Sequence, residues 1–416
     1  MKIEKKKKIN SLNSPVIPKN EREYIIKNFK RSNYNLNNSR YTFQENYNKR
    51  KIFKINYSYN PYTKISNKYS YEINAMKIYN KTGMLNITKL EYYYYNNEKY
   101  NINNSNMNEI HLTMAFDKNY SNLALISIAS VLNSSSTNTY IHFHILGLNF
   151  GFDEIKKIID LRKINLKVEF IFYNAKQVEY DFDRAKHERR KYGNYAKILS
   201  PQIVNNTNKI LILDSGDIIV QKDLSEIYFY DIKDNYFGWT LEICAGYYLE
   251  NNDKFKTNNF HPNAGVVLVN IKLFRKDELY KKAVFVGKSY HSFECPVQDI
   301  LITITNYKFS YFPLNFNLVL YYENEDDALN RKMIPSIRTW QKIQRFSPHK
   351  YTFDEIVDAM KDPIVQHFYL EKLQHISRCN KYLYQWLKYA NLTGKYLELK
   401  QQFREPFKCE KKFGFI

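Results

Sequence analysis

From Ile110 onward the chain alternates short, continuous apolar runs with longer stretches in which apolar residues recur every three or four positions. IHLTMAF (110–116), YIHFHILG (140–147), KVEFIFY (167–173) and KILILD (209–214) have the pattern of strands buried on both faces. Between them SNLALISIASVLN (121–133), DEIKKIIDLRK (153–163) and YAKILSPQIV (195–204) predict helices. Ser121 is a plausible N-cap for the first, and Pro201 ends or kinks the last. Strand–helix alternation implies an α/β fold, a parallel sheet with helices on both faces. In such sheets ligands bind outside the carboxyl ends of the strands. Asp117 and Asp214 stand at two such ends. Later, YFGWT (236–240), GVVLVN (265–270) and FSYFP (309–313) read as strands, and PVQDILITI (296–304) and NKYLYQWLKYA (380–390) as helices. The stripe Tyr382, Trp386, Tyr389 reads as core packing.

Residues 1–105 break this pattern. They are rich in Asn, Lys and Tyr without lasting apolar periodicity, as in YYYYNNEKYNINNSN (92–106), and read as mostly disordered. They also hold 21 Lys and Arg against 7 Asp and Glu, so most of the net charge of +21 sits there. The remainder carries only a mild excess, which argues against a nucleic-acid partner for the globular part. A basic tether for anionic polymers or membrane surfaces is the functional alternative for the segment. After MKIEKKKKIN no apolar stretch of a secretory signal follows, and no run approaches the ~20 apolar residues of a membrane helix. Cys244, Cys295, Cys379 and Cys409 are far apart and form no C-x-x-C pair, so four thiols in a reducing compartment are expected. A cytoplasmic location is the expectation.

Five stretches offer chemistry. In FDKNY (116–120), Asp117, Asn119 and Tyr120 either cap a helix or read a base by hydrogen bonds and stacking. No G-x-G-x-x-G is present. In DSGD (214–217), Ser-Gly is either the tip of a hairpin or a turn that brings Asp214 and Asp217 to one hard cation. Residues three apart on a strand face opposite ways, so convergence needs the turn that Gly216 permits. In HPNAGVVLVN, Asn263 and Gly265 open a strand, where Gly265 is either a simple turn residue or one of the small residues that let a ligand approach the backbone. In CPVQDILITI, Gln298 and Asp299 lie in the first turn of a helix, where Asp299 either suits the positive helix end or helps form a polar pair aimed into a pocket. In PIVQHFYLEKLQH, His367 closes an apolar run, as either a structural histidine or a ligand, and Lys372 follows. A His joined to two carboxylates favours Mn2+ or a similar ion over Ca2+.

The order of these stretches, with YAKILSPQIVNNTNKILILDSGDIIV, PLNFN and IVQHFYLEKLQ between and after them, resembles glycosyltransferase family 8 over about residues 110–395. The resemblance implies a GT-A nucleotide-diphospho-sugar transferase fold, Rossmann-like with a mostly parallel central sheet. It implies a catalytic domain over 106–378 and a C-terminal helical extension over 379–416. It also implies retaining transfer of a hexose from a UDP-sugar donor to a glycan or other hydroxyl acceptor, with Mn2+ or Mg2+. By position, Asp117, Asn119 and Tyr120 match the uracil-binding stretch. Lys197 stands where an Arg is common, and Asp214, Asp217 and His367 match the metal ligands. Asn263 and Gly265 match the sugar-facing N-A-G, Gln298 and Asp299 the end of D-Q-D, and Lys372 the lysine that reaches the diphosphate. The chain departs in the extra residue of D-x-x-D, in Val297 for the first Asp of D-Q-D, and in the lysine segment, where Lys372 follows His367 by five and Leu373-Gln374 replace Pro-Trp. Two other readings stay open: a nucleotide-sugar-binding protein disabled by these changes, and a polyanion binder acting through residues 1–105.

Overall fold

The structure is a computed structural model that describes residues 70–80, 83–95, 107–175, 177–182, 192–241, 262–289, 296–306, 308–319, 351–368 and 381–415. The strands are β1 (Ser70–Asn80), β2 (Gly83–Tyr95), β3 (Asn108–Asp117), β4 (Thr139–Leu148), β5 (Val168–Asn174), β6 (Lys209–Leu213), β7 (Ile218–Val220), β8 (Phe237–Trp239), β9 (Val266–Asn270), β10 (Phe309–Tyr311), β11 (Leu318–Val319) and β12 (Val365–His367). One nine-stranded sheet has the order β1-β2-β5-β4-β3-β6-β9-β8-β10, and a small sheet has the order β11-β12-β7. The run β5-β4-β3-β6 is parallel throughout. Only β2 and β9 oppose the prevailing direction of the large sheet.

Helices cover both faces of the large sheet, as the alternating pattern requires. On one face α1 (Ser121–Ser134) and α2 (Phe152–Ile159) bury Ala124, Leu125, Ile128, Ile155 and Ile158 against β3 and β4. On the other lie α3 (Tyr192–Ile203), α4 (Ile271–Lys276), α5 (Leu279–Ser289) and α6 (Pro296–Thr305), which contribute Leu199, Phe274, Ala283 and Ile300. The far side of α1 packs Leu123 and Ile126 against the small sheet and α7 (Lys381–Leu392). A helix covered on both sides buries residues all round, and eleven of the fourteen residues of α1 are buried. In α7, Trp386 and Tyr389 are buried in the same cluster, with Tyr382 packed against it.

Several expectations change. Ser121 is the first residue of α1 rather than its N-cap. The carboxylate of Asp117 instead caps the preceding 3-10 turn Lys118–Tyr120, which runs straight into the helix. Pro201 does not end α3, which continues to Ile203. The Lys197 carbonyl that a residue-201 N–H would normally reach accepts the Ser200 hydroxyl at 2.7 Å instead. Within the segment read as mostly disordered, β1 and β2 pair with each other, and β2 adds antiparallel to β5. Tyr and Ile, which favour strands, occur in both. The rest of 1–105 lies outside the described residues. Cys409 is disulfide-bonded, against the expectation of four free thiols. Thiol spacing along the chain carries no information about which sulfurs the fold brings together. Cys244, Cys295 and Cys379 lie outside the described residues. Among the described residues no helix is long and apolar enough to cross a membrane.

One polar group lies within the large sheet. The rings of His111 and His142 stack with centroids 4.4 Å apart. His111 Nδ1 lies 3.0 Å from His144 Nε2, and His144 Nδ1 lies 3.0 Å from the Tyr173 hydroxyl. Burial, aided by the neighbouring His142, pushes His111 down to about 4. Burial also opposes protonation of His142, but the hydrogen bonds and charges of Glu169 and Glu109 outweigh it and raise its pKa.

Candidate metal centre

DSGD is not a hairpin. β6 before it belongs to the large sheet and β7 after it to the small one. Ser-Gly is the corner at which the chain leaves one sheet for the other. Gly216 has φ +88°, and a Cβ there would stand 2.7 Å from Leu123 Cβ. A side chain at that position is therefore opposed by both backbone strain and contact. The Gly216 N–H donates to Ser127 Oγ at 3.0 Å, and Ser215 Oγ donates to the Ala115 carbonyl at 3.3 Å.

Beyond the corner, α1 holds β7 much as a neighbouring strand would. Ser127 Oγ donates to the Ile218 carbonyl at 2.9 Å, and Ser130 Oγ accepts from the Val220 N–H at 3.0 Å. Ser134 Oγ donates to the Val220 carbonyl at 2.9 Å. On its other edge β7 pairs antiparallel with β12, with Ile218 opposite His367, and the Phe368 N–H reaches the Asp217 carbonyl at 2.7 Å. That register sets Asp217 beside His367, although the two are 150 residues apart in sequence.

Asp214 is placed by the large sheet. Its N–H donates to the Gly265 carbonyl at 2.8 Å, continuing the β6–β9 ladder by one pair. Gly265 therefore stands opposite Asp214. A Cβ on Gly265 would lie 2.3 Å from His367 Cε1 and 2.4 Å from Nδ1. The imidazole fills the space a side chain would take. The group that comes so close to this backbone is His367 itself.

The result is a compact donor set. One ligand atom from each of Asp214, Asp217 and His367 lies within 4.8 Å of the others. His367 Nε2 is 3.5 Å from Asp214 Oδ2 and 4.0 Å from Asp217 Oδ2. His367 is fully buried, while Asp214 and Asp217 keep 18% and 11% of their side-chain surface, so the cluster opens on its carboxylate side. Two carboxylates and one imidazole are a donor set that could hold a divalent ion. Lys197, buried on α3, pairs with the other oxygen of Asp214. Behind the ring, His367 Nδ1 is 3.1 Å from Asn263 Oδ1 and 3.2 Å from Asn317 Oδ1. Both asparagines are buried.

Of the residues singled out in sequence, Asp214, Asp217, His367, Lys197, Asn263 and Gly265 thus come together. Asp117 ends the adjacent strand β3 and Asn119 and Tyr120 lie in the 3-10 turn after it, with Asp117 Oδ1 accepting the Asn119 and Tyr120 N–H groups at 2.8 and 3.1 Å. Gln298 is half-buried and Asp299 buried in the first turn of α6. Val297 beside them lines a small apolar cavity together with Lys197 and Ala264. Lys372 lies outside the described residues. Asn317 was not singled out. It stood inside the PLNFN stretch, and an Asn between apolar residues was the available signal.

Among solved structures, the chain resembles apo WbbM, a bifunctional glycosyltransferase, with TM-score 0.52 and 17% identity over 75% of this chain and 55% of that one. The chain thus spans about half the length of that protein. It also aligns with the galactosyltransferase LgtC in complex with donor and acceptor sugar analogues (TM-score 0.48, 21% identity, 69% of this chain and 96% of that one). Mouse xyloside xylosyltransferase 1 aligns with TM-score 0.43 and 15% identity over 64% of this chain and 99% of that one. No curated protein sequence matches. The architecture is the GT-A fold. The family model described as glycosyl transferase family 8 matches residues 111–339, more than half of the chain. The chain belongs to glycosyl transferase family 8.

Proposed function

We propose that the chain is a retaining hexosyltransferase. It would take its sugar from a UDP-sugar and pass it to the hydroxyl of a glycan or other acceptor, with Mn2+ or Mg2+ as cofactor. The observation that carries this reading is the Asp214, Asp217 and His367 donor set beyond the carboxyl end of β6. A bound divalent ion supplies positive charge against the charge that develops on the departing diphosphate. Asp214, Asp217 and His367 would hold that ion, and Lys197 would add a second cation beside it. Asp117, Asn119 and Tyr120 would receive the uracil, Asn263 and Gly265 would border the sugar, and Lys372 would reach the diphosphate. In the transfer, the anomeric C–O bond to the diphosphate breaks and a bond to the acceptor oxygen forms on the same face. The acceptor proton passes to the departing phosphate oxygen. An amide is a poor nucleophile, so Gln298 would position the sugar and Asp299 would support it from the same helical turn. The proposed catalytic unit spans 106–378, with 379–416 as an extension packed on it.

The test is UDP release from a panel of nucleotide sugars with Mn2+. Asp214→Asn and Asp217→Asn are each expected to abolish metal-dependent release. Near wild-type turnover in both variants would sink the assignment. Val297, buried in the core where the family has an acid, favours a second reading: a protein that binds nucleotide sugar without turnover. Metal-dependent UDP binding with no release from any donor would select it.

A further inference from the structure

The hydrogen bonds behind His367 run in a single direction, and their origin is a backbone group. The Gly265 N–H donates to the amide atom of Asn263 at 2.8 Å, which identifies that atom as the oxygen. The same oxygen takes a second donor, Asn317 Nδ2, at 2.7 Å. With Nδ2 of Asn317 turned to Asn263, its Oδ1 is the atom left beside the imidazole. His367 Nδ1 therefore faces two carbonyl oxygens, at 3.1 and 3.2 Å. Neither can donate, so the ring nitrogen must. A proton held at Nδ1 leaves the lone pair of the neutral ring at Nε2, the atom that faces Asp214 and Asp217. An isolated imidazole has no such compulsion.

We infer that Asn317 and Asn263 are positioning residues that fix the tautomer and the plane of His367, and so set the affinity of the cluster for a divalent cation. The inference rests on the reading of the cluster as a cation site. Each member has a structural reason to be what it is. Gly265 must lack a side chain, because the ring lies against its Cα, and it must present its N–H, because that bond orients Asn263. Asn317 must be an amide, because it both donates to one oxygen and accepts from the ring. A carboxylate at 317 would set oxygen against oxygen, whereas a carboxylate at 263 would keep every bond that its oxygen now accepts. Partners of this kind typically change metal affinity about 10- to 100-fold when removed.

The experiment is titration of the full chain with Mn2+ by calorimetry, without nucleotide or sugar, with a thermal melt of each variant. Asn317→Ala is expected to weaken Mn2+ binding by about 10- to 100-fold. Asn263→Asp is expected to keep affinity close to wild type, since the oxygen is retained. Wild-type affinity in Asn317→Ala, or an equal loss in Asn263→Asp, would overturn the inference, because a purely structural role moves the melt and not the discrimination between the two. A second measurement needs no variant: 15N spectra of imidazole-labelled wild type at pH 8 should show the His367 proton on Nδ1. A neutral ring protonated at Nε2 would overturn the inference as well. Failure of wild type to take up Mn2+ while Nδ1 carries the proton would remove the cation reading and leave the tautomer assignment standing.

Discussion

Gly265 shows how one missing side chain can make a site. Its carbonyl holds the Asp214 N–H, its N–H orients Asn263, and its bare Cα admits the His367 ring. Gly265→Ala would place a methyl 2.3 Å from His367 Cε1, in a spot where the ring is fully buried and cannot swing away. Displacing a ligand in this way should cost at least about tenfold in Mn2+ affinity, measured by the same titration. Unchanged affinity would mean that the imidazole has another place to go. At this scale the sequence was legible where the residue type itself carries chemistry. Asp214, Asp217 and His367 could be named as candidates because carboxylates and imidazole have metal-ligand chemistry and because the order of their stretches resembles the family's. The fold brings one ligand atom of each within 4.8 Å of the others. The purpose of Gly265 could not be read, since it depends on a ring contributed from more than one hundred residues away. Asn317 was missed for the same reason: its partners are fixed by register, not by neighbours in the chain.

At the scale of elements, the long apolar runs and amphipathic stretches identified the central strands and the helices around them. The small sheet was harder to see. β7, β11 and β12 have three, two and three residues, too few for periodicity, and their partners are distant in sequence. DIIV after Ser-Gly therefore looked like the second arm of a hairpin. The chain instead turns away at Gly216 and finds its second edge in α1. Ser127, Ser130 and Ser134 lie on one face of that helix by the three- and four-residue spacing, and their hydroxyls reach the backbone of β7. In a helix otherwise rich in Leu, Ile, Ala and Val, serines at this spacing are the sequence trace of that contact. Ser130→Ala would leave the buried Val220 N–H without its acceptor, a loss of about 1–3 kcal/mol. Denaturant unfolding should show it, together with faster hydrogen exchange at Val220. A stability within error of wild type would mean that the Ser130 bond does not contribute to holding β7.

Over the whole molecule, the imidazoles of the large sheet give stability a dependence on acid. His111 is held down to about 4 in the fold against 6.5 when unfolded, so the unfolded chain binds its proton first as pH falls. Stability from this group is complete above 6.5 and is lost toward 4. His142 acts in the opposite sense. Its pKa is raised in the fold, so its contribution is complete below 6.5 and fades as pH rises through the raised value. Melting of wild type should therefore fall between pH 6.5 and 4.5 more steeply than melting of His111→Gln, and parallel curves would dissociate His111 from acid sensitivity. β1 and β2 extend the sheet from within residues that lack apolar periodicity, because edge pairing is made by backbone groups. The two sheets carry a consequence of their own. Asp214 comes off the last residue of one, His367 belongs to the other, and Asp217 sits where the chain crosses between them. A cation taken by all three would act as a rivet through two plates. Its binding energy would then be folding energy, because the plates lose their common fastening when either one opens.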